Sequence, residues 1–160
     1  MKTIIAITGK SGSGKSTAAH YLRTNHKTPE IKSYTTRPKR PYSEPGHTFV
    51  SDKFFDKIDP KQMIAYSLYG EFRYCATKNN VTEDLMSYVV DVNGLKMLLN
   101  NLDYKVISIN IKRQHRDNIS PSGKDRDKEI KGNFDYTLEN TTKQKLYKDL
   151  DHILYEITEK

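Results

Sequence analysis

The reading turns on Gly9-Lys10-Ser11-Gly12-Ser13-Gly14-Lys15-Ser16 and its flanks. Before it runs Thr3–Thr8 (TIIAIT), short, apolar and β-branched, the pattern of a strand buried on both faces. After it, STAAHYLRTN predicts a helix. The octet matches G-x-x-x-x-G-K-[ST], and strand, glycine turn and helix are the context that motif requires. Glycines let the backbone turn sharply, so successive N–H groups converge on phosphate oxygens, and the helix adds its positive end. Gly9, Ser11, Gly12, Ser13, Gly14, Lys15, Ser16 and Thr17 are therefore the candidate nucleoside triphosphate site. Lys15 would reach the β- and γ-phosphates, Ser16 would give a hydroxyl to Mg²⁺, and Thr17 would bond the α-phosphate.

Working outward, Tyr88–Val92 and Val106–Ile111 read as further buried strands, and Ile31–Tyr34 and Phe134–Leu138 as shorter ones. Met63–Leu68 and Phe72–Ala76 read as a hairpin about Tyr69-Gly70-Glu71. Ser51 and Asp52 predict the cap of a short helix, Lys53–Ile58. Helices are also expected at Lys78–Leu85, Leu95–Asn100 and 141–157. The last carries Leu146, Leu150, Ile153, Leu154 and Ile157 at three- and four-residue spacing, a core stripe. Strands alternating with helices predict an α/β domain, a central parallel sheet flanked by helices. One domain spans 1–160, with a core of 1–32, 86–111 and 134–160. Two polar insertions interrupt it: about 33–77, and a short charged stretch at about 112–133.

The chain has 160 residues and a net charge of +7. Nine Lys/Arg against the single acid Glu30 fall in residues 1–40, so the rest of the chain is nearly neutral. The basic excess thus sits at the phosphate motifs, which favours small phosphorylated ligands over nucleic acid. No basic tail or nucleic-acid signature accompanies it. No apolar run reaches the roughly 18 residues of a membrane span. One cysteine, Cys75, excludes an intrachain disulfide framework. A cytoplasmic protein is the expectation, and no sequence feature specifies an oligomeric state.

A second anion site is written at Ser33-Tyr34-Thr35-Thr36-Arg37-Pro38-Lys39-Arg40. Two arginines three apart in a loop stiffened by Pro38, Pro41 and Pro45 suit a fixed clamp, since guanidinium meets phosphate bidentately. S-x-T-T-R-x-x-R, then Glu44, Gly46 and Phe49-Val50, resembles the signature of guanylate kinases and their relatives. Tyr74, Asp91-Val92-Asn93-Gly94 and Phe134–Asn140 resemble later segments of that family, in the same order.

The resemblance implies a P-loop kinase fold in which 33–77 binds an acceptor and 112–133 is a lid. It implies transfer of the γ-phosphate of ATP, with Mg²⁺, to a nucleoside monophosphate, GMP or dGMP. Arg37, Arg40 and Tyr74 would hold the acceptor phosphate, and Ser33 would contact the base. Asp91 would face the acceptor and the Mg²⁺ hydration shell. Arg113, Arg116 and Arg126 are the lid candidates for a catalytic cation. The sequence departs from the family in places. His47 stands where the family has a phosphate-binding tyrosine, Thr77 is the candidate hydroxyl near the base, and no carboxylate lies at Ile64–Tyr66 to read guanine. The alternatives are a kinase for another nucleotide or a ribosyl phosphate, and a non-catalytic binding module.

Overall fold

The computed structural model describes residues 1–114 and 133–159. Among the described residues the strands are β1 (Lys2–Gly9), β2 (Ser33–Thr35), β3 (His47–Phe49), β4 (Met63–Tyr69), β5 (Phe72–Thr77), β6 (Leu85–Val89), β7 (Tyr104–Lys112) and β8 (Tyr136–Glu139). The α-helices among them are α1 (Lys15–His26), α2 (Asp52–Asp56), α3 (Val92–Leu99) and α4 (Lys143–Thr158).

The central sheet runs β6-β1-β7-β8, and every pairing in it is parallel. Period-two alternation sends successive β1 side chains to opposite faces. Ile4 and Ala6 join a cluster with Met86, Tyr88, Leu95 and Leu98 on the α3 side. Ile5 and Ile7 join Ala18, Leu22, Ile109, Leu146 and Leu150 beneath α1 and α4. Both faces are covered, which is why β1 reads as continuously apolar rather than alternating. Leu146, Leu150, Ile153 and Leu154 of the α4 stripe are buried, and Ile157 packs partly buried against them.

The 33–77 stretch builds a second sheet in the order β3-β2-β5-β4, with β2 and β3 parallel and the other pairs antiparallel. The sequence indicated β2, β4 and β5, but not β3 at His47–Phe49 or that the four form a separate mixed sheet. The register sets Tyr34 beside Cys75 and Cys75 beside Tyr66 on one face. That face is covered by α2, whose Phe54 ring meets Tyr34 at 5.5 Å and whose Phe55 ring meets Tyr66 at 6.2 Å. Ser51 caps α2 by accepting from the Phe54 N–H, as its position predicts. Arg73 fastens the helix, lying 4.4 Å over the Phe55 ring and bonding Asp52 and Asp56. The opposite face carries Ser33, His47, Thr35, Phe49, Ser67 and Tyr74.

Three expectations change. Lys78–Leu85 is not a helix: Lys78–Asn80 forms a single 3₁₀ turn, and Leu85 opens β6 against Thr3. The strand expected at Tyr88–Val92 is Leu85–Val89, three residues earlier. Val92 already belongs to α3, because Asp91 caps that helix through a 2.6 Å bond from the Gly94 N–H. Of the 112–133 insertion, 115–132 lies outside the described residues, and with it Arg116 and Arg126.

Candidate active site

The Gly9–Ser16 loop takes its shape from Gly9 and Gly14, where a side chain has no room. Gly9 has φ +157°, and a Cβ there would lie 2.5 Å from Ser13 Oγ and 2.6 Å from the Ile111 carbonyl. Gly14, at φ +109°, precedes α1, and a Cβ there would collide with the Asn140 side chain. The first N–H groups of α1 are left without helical partners and no acid stands in its first turn, so the helix end attracts anions. Lys15 Nζ donates to the Gly9 carbonyl at 2.6 Å and the Lys10 carbonyl at 3.0 Å, which holds the ammonium across the loop. Ser16 and Thr17 follow in the first helical turn.

The parallel register brings further groups to the same sheet edge. Gly9 stands beside Ile111 and Ile7 beside Val89. Asp91 just past β6, Gly9, Arg113 just past β7 and Asn140 just past β8 therefore line one carboxyl edge, where open α/β sheets bind ligands. Asp91 Oδ1 is used by the Gly94 N–H, whereas Oδ2 is buried with no hydrogen-bond partner among the described residues. Ser13 Oγ is in the same position. A buried carboxylate oxygen lacking a partner and an exposed serine hydroxyl, Ser16, at the start of the loop helix are donor types that suit a hard cation keeping most of its waters. Arg113 is exposed at this edge.

Around Arg37 the side chains form a connected cluster. Arg37 is 8% exposed. Its Nη2 and Nη1 meet the two Glu44 oxygens at 2.6 and 3.3 Å, and its Nε donates to Tyr74 Oη at 3.2 Å. Nη1 also reaches the Pro38 carbonyl, and the guanidinium lies 5.6 Å from the Phe49 ring centre. Glu44 accepts from the Arg40 N–H at 3.2 Å as well, and the Arg40 guanidinium approaches it at 3.8 Å. Burial works against the Glu44 charge, but the Arg37 bonds, the Arg40 N–H and both guanidiniums outweigh it, leaving its pKa below the ordinary carboxylate value. His47 Nδ1 lies 2.9 Å from Ser33 Oγ, and its ring packs edge-on to Tyr74 at 5.9 Å. A groove of about 590 Å³ opens beside this cluster, lined by residues that include Arg40, Tyr42, Glu44, His47 and Phe49.

The structure thus brings Ser33, Arg37, Arg40, His47 and Tyr74 together. Thr77 is differently committed: its N–H and O–H both donate to Asn80 Oδ1, at 2.8 and 2.9 Å, so its oxygen can serve a ligand only as an acceptor. Three residues here escape sequence reasoning. Glu44 sits in the quoted motif, yet its pairing with Arg37 is invisible in spacing. Asn140 donates to the Ser13 carbonyl at 2.8 Å, from 127 positions away. Ser67 is brought beside Tyr74 only by the β4–β5 register.

The guanylate kinase family model matches residues 1–157. The chain belongs to the guanylate kinase family. Among solved structures, a guanylate kinase from Anaplasma phagocytophilum superposes with a TM-score of 0.67 at 18% identity, covering 95% of this chain and 82% of that one. At that identity the likeness speaks for the shared fold. No curated protein matches the chain. Membership in the guanylate kinase family accounts for the order of the motifs along the chain. Among the described residues, no helix is long and apolar enough to cross a membrane.

Proposed function

We propose that this chain is an ATP-dependent nucleoside monophosphate kinase that makes a nucleoside diphosphate from GMP or dGMP. One observation carries the reading. An intact triphosphate loop and a separate, preformed guanidinium clamp occur in one family member. A non-catalytic module has no need of Gly9, Gly14 and Lys15 in this geometry.

ATP would lie on the Gly9–Thr17 loop, its phosphates held by loop N–H groups, the α1 terminus and Lys15. The acceptor phosphate would lie on Arg37, Arg40, Tyr74 and His47, its base toward Ser33, Ser67 and Thr77. Mg²⁺ would be held by Ser16 and, through bound water, by Asp91, and would neutralise charge on the phosphate oxygens. An acceptor phosphate oxygen attacks the γ-phosphorus in line, the β–γ bridging bond breaks, and no protein nucleophile is needed. Charge spreads over the moving group, so positioned cations are what the protein must supply. Lys15 is one. Arg113, and by sequence Arg116 and Arg126, are candidates for another, a role worth on the order of 10³–10⁵ in rate where a closing arginine plays it.

A second reading keeps the reaction but changes the base. On β4 the positions flanking the clamp face are Ala65 and Ser67, and the strand holds no carboxylate to pair with the two adjacent donors of guanine. ADP release measured across GMP, dGMP, AMP, dAMP, CMP, UMP and dTMP separates the readings. GMP or dGMP leading supports the first, and another monophosphate leading supports the second. No turnover on any of them, with ATP still bound, would return the chain to a binding role. Lys15→Ala should abolish transfer in every case.

A further inference from the structure

The clamp's charge does not balance its ligand with arginines alone. Arg37 and Arg40 bring two positive charges, and Glu44, touching both, cancels one. A phosphate monoester carries about −1.5 to −2 near neutrality. Lys39 also lines the groove, but it is exposed and screened by solvent.

Among the described residues lining the groove, His47 carries the one imidazole, the side chain type whose charge changes within the physiological pH range. Among the described residues, Ser33 from β2, Tyr74 from β5 and Phe49 from β3 contact its ring, and Lys39, Arg40, Tyr42 and Glu44 from the preceding loop line the same groove. Glu30 lies against Gly46, the residue before His47, and Arg23 and Lys32 act on its charge.

Ser33 makes both charge states of His47 tenable. A hydroxyl both donates and accepts. With the imidazole neutral, Ser33 O–H donates to Nδ1 across 2.9 Å. With the imidazole charged, Nδ1–H donates to Ser33 Oγ, and the hydroxyl proton turns to the Gly46 carbonyl, 3.5 Å away. The Ser33–Nδ1 hydrogen bond is thus kept in both charge states.

We infer that His47 is a proton-dependent ligand of the acceptor phosphate, supplying as imidazolium the positive charge that Glu44 removes. This rests on the kinase reading and assigns the protein's share of the pH dependence of acceptor affinity to one side chain. The sign follows from linkage: a phosphate dianion favours the charged ring, so binding raises the proton affinity of His47, and raising pH weakens binding. Ionisation of the acceptor, near pH 6, acts in the opposite direction, so only a comparison with a variant isolates the histidine.

The test is calorimetric binding of GMP to wild type, His47→Gln and His47→Lys between pH 5.5 and 8.5, with His47 ring resonances of the wild type followed by NMR. Losing a charge-assisted bond should weaken GMP binding in His47→Gln roughly tenfold at pH 5.5 and no more than about twofold at pH 8.5. His47→Lys should hold affinity at high pH. Saturating GMP should raise the NMR midpoint of His47 by about one pH unit, which is the same tenfold effect seen from the proton's side. A His47→Gln to wild-type ratio that stays constant with pH, or an unmoved midpoint with GMP bound, overturns the inference and leaves the kinase reading standing. If neither GMP nor any other monophosphate binds at any pH, the kinase reading fails and the inference fails with it.

Discussion

Asn140 Nδ2 donates a 2.8 Å hydrogen bond to the carbonyl of Ser13, so the turn before the last helix holds the phosphate loop in place. The same side chain occupies the space a Cβ on Gly14 would need. Asn140→Ala removes one bond and should weaken ATP binding about fivefold, the equivalent of ~1 kcal/mol, with acceptor affinity unchanged. Separate calorimetric titrations with ATP and GMP check this. An equal loss for both ligands would mean that Asn140 supports the whole fold rather than the loop.

Arg37→Ala should raise the acceptor KM by about ten- to a hundredfold, from the loss of charge-assisted bonds worth roughly 1.5–3 kcal/mol, and leave the ATP KM unchanged. It should also lower Tm, because Glu44, whose side chain is only 9% exposed, is left without its bidentate partner. Adding Glu44→Gln should restore the Tm but not the acceptor KM. A double-mutant cycle read by both steady-state kinetics and thermal melts separates the two effects.

How much of this was legible depends on the range of the contacts. The strand–turn–helix at Thr3–His26 reads directly, because glycine conformation, helix initiation and apolar runs are local. The Lys78–Leu85 helix misreads, because an Asn80 side chain bonding Thr77 stops the turn, and pairing with Thr3 then draws Leu85 into a parallel strand. Asp91 stands out in the sequence only through the family resemblance, and the fold adds what spacing does not: one oxygen caps α3, and the other remains buried without a partner among the described residues. Glu44, Ser67 and Asn140 become visible only through contacts or register that no spacing encodes.

The depressed pKa of Glu44 makes stability depend on pH in a definite direction. Its ionised form is favoured in the folded state, so its stabilisation is complete above the unfolded glutamate value of about 4.3 and disappears as pH falls through the lower folded value. The Tm difference between wild type and Glu44→Gln should therefore be largest near neutrality and shrink below about pH 4. A difference that grows with acidity would contradict the pairing.

Cys75 is buried in β5 between Tyr34 and Tyr66, and burial raises its thiol pKa to about 11. Little thiolate exists at neutral pH, and what exists is enclosed. An aromatic disulfide reagent at pH 7.5 should modify the folded protein slowly and the urea-unfolded protein at once. Rapid modification of the native state would show that α2 does not stay docked on the second sheet.

The central claim is that two anion pockets, one on the Gly9–Ser16 loop and one on the Arg37 clamp, are occupied together. The direct measurement is the affinity of a bisubstrate compound, adenosine and guanosine joined through a pentaphosphate, beside those of ATP and GMP alone. Binding at least a hundredfold tighter than either nucleotide, and weakened separately by Lys15→Ala and Arg37→Ala, is the expected result. Binding no tighter than ATP, and indifferent to Arg37→Ala, would contradict it.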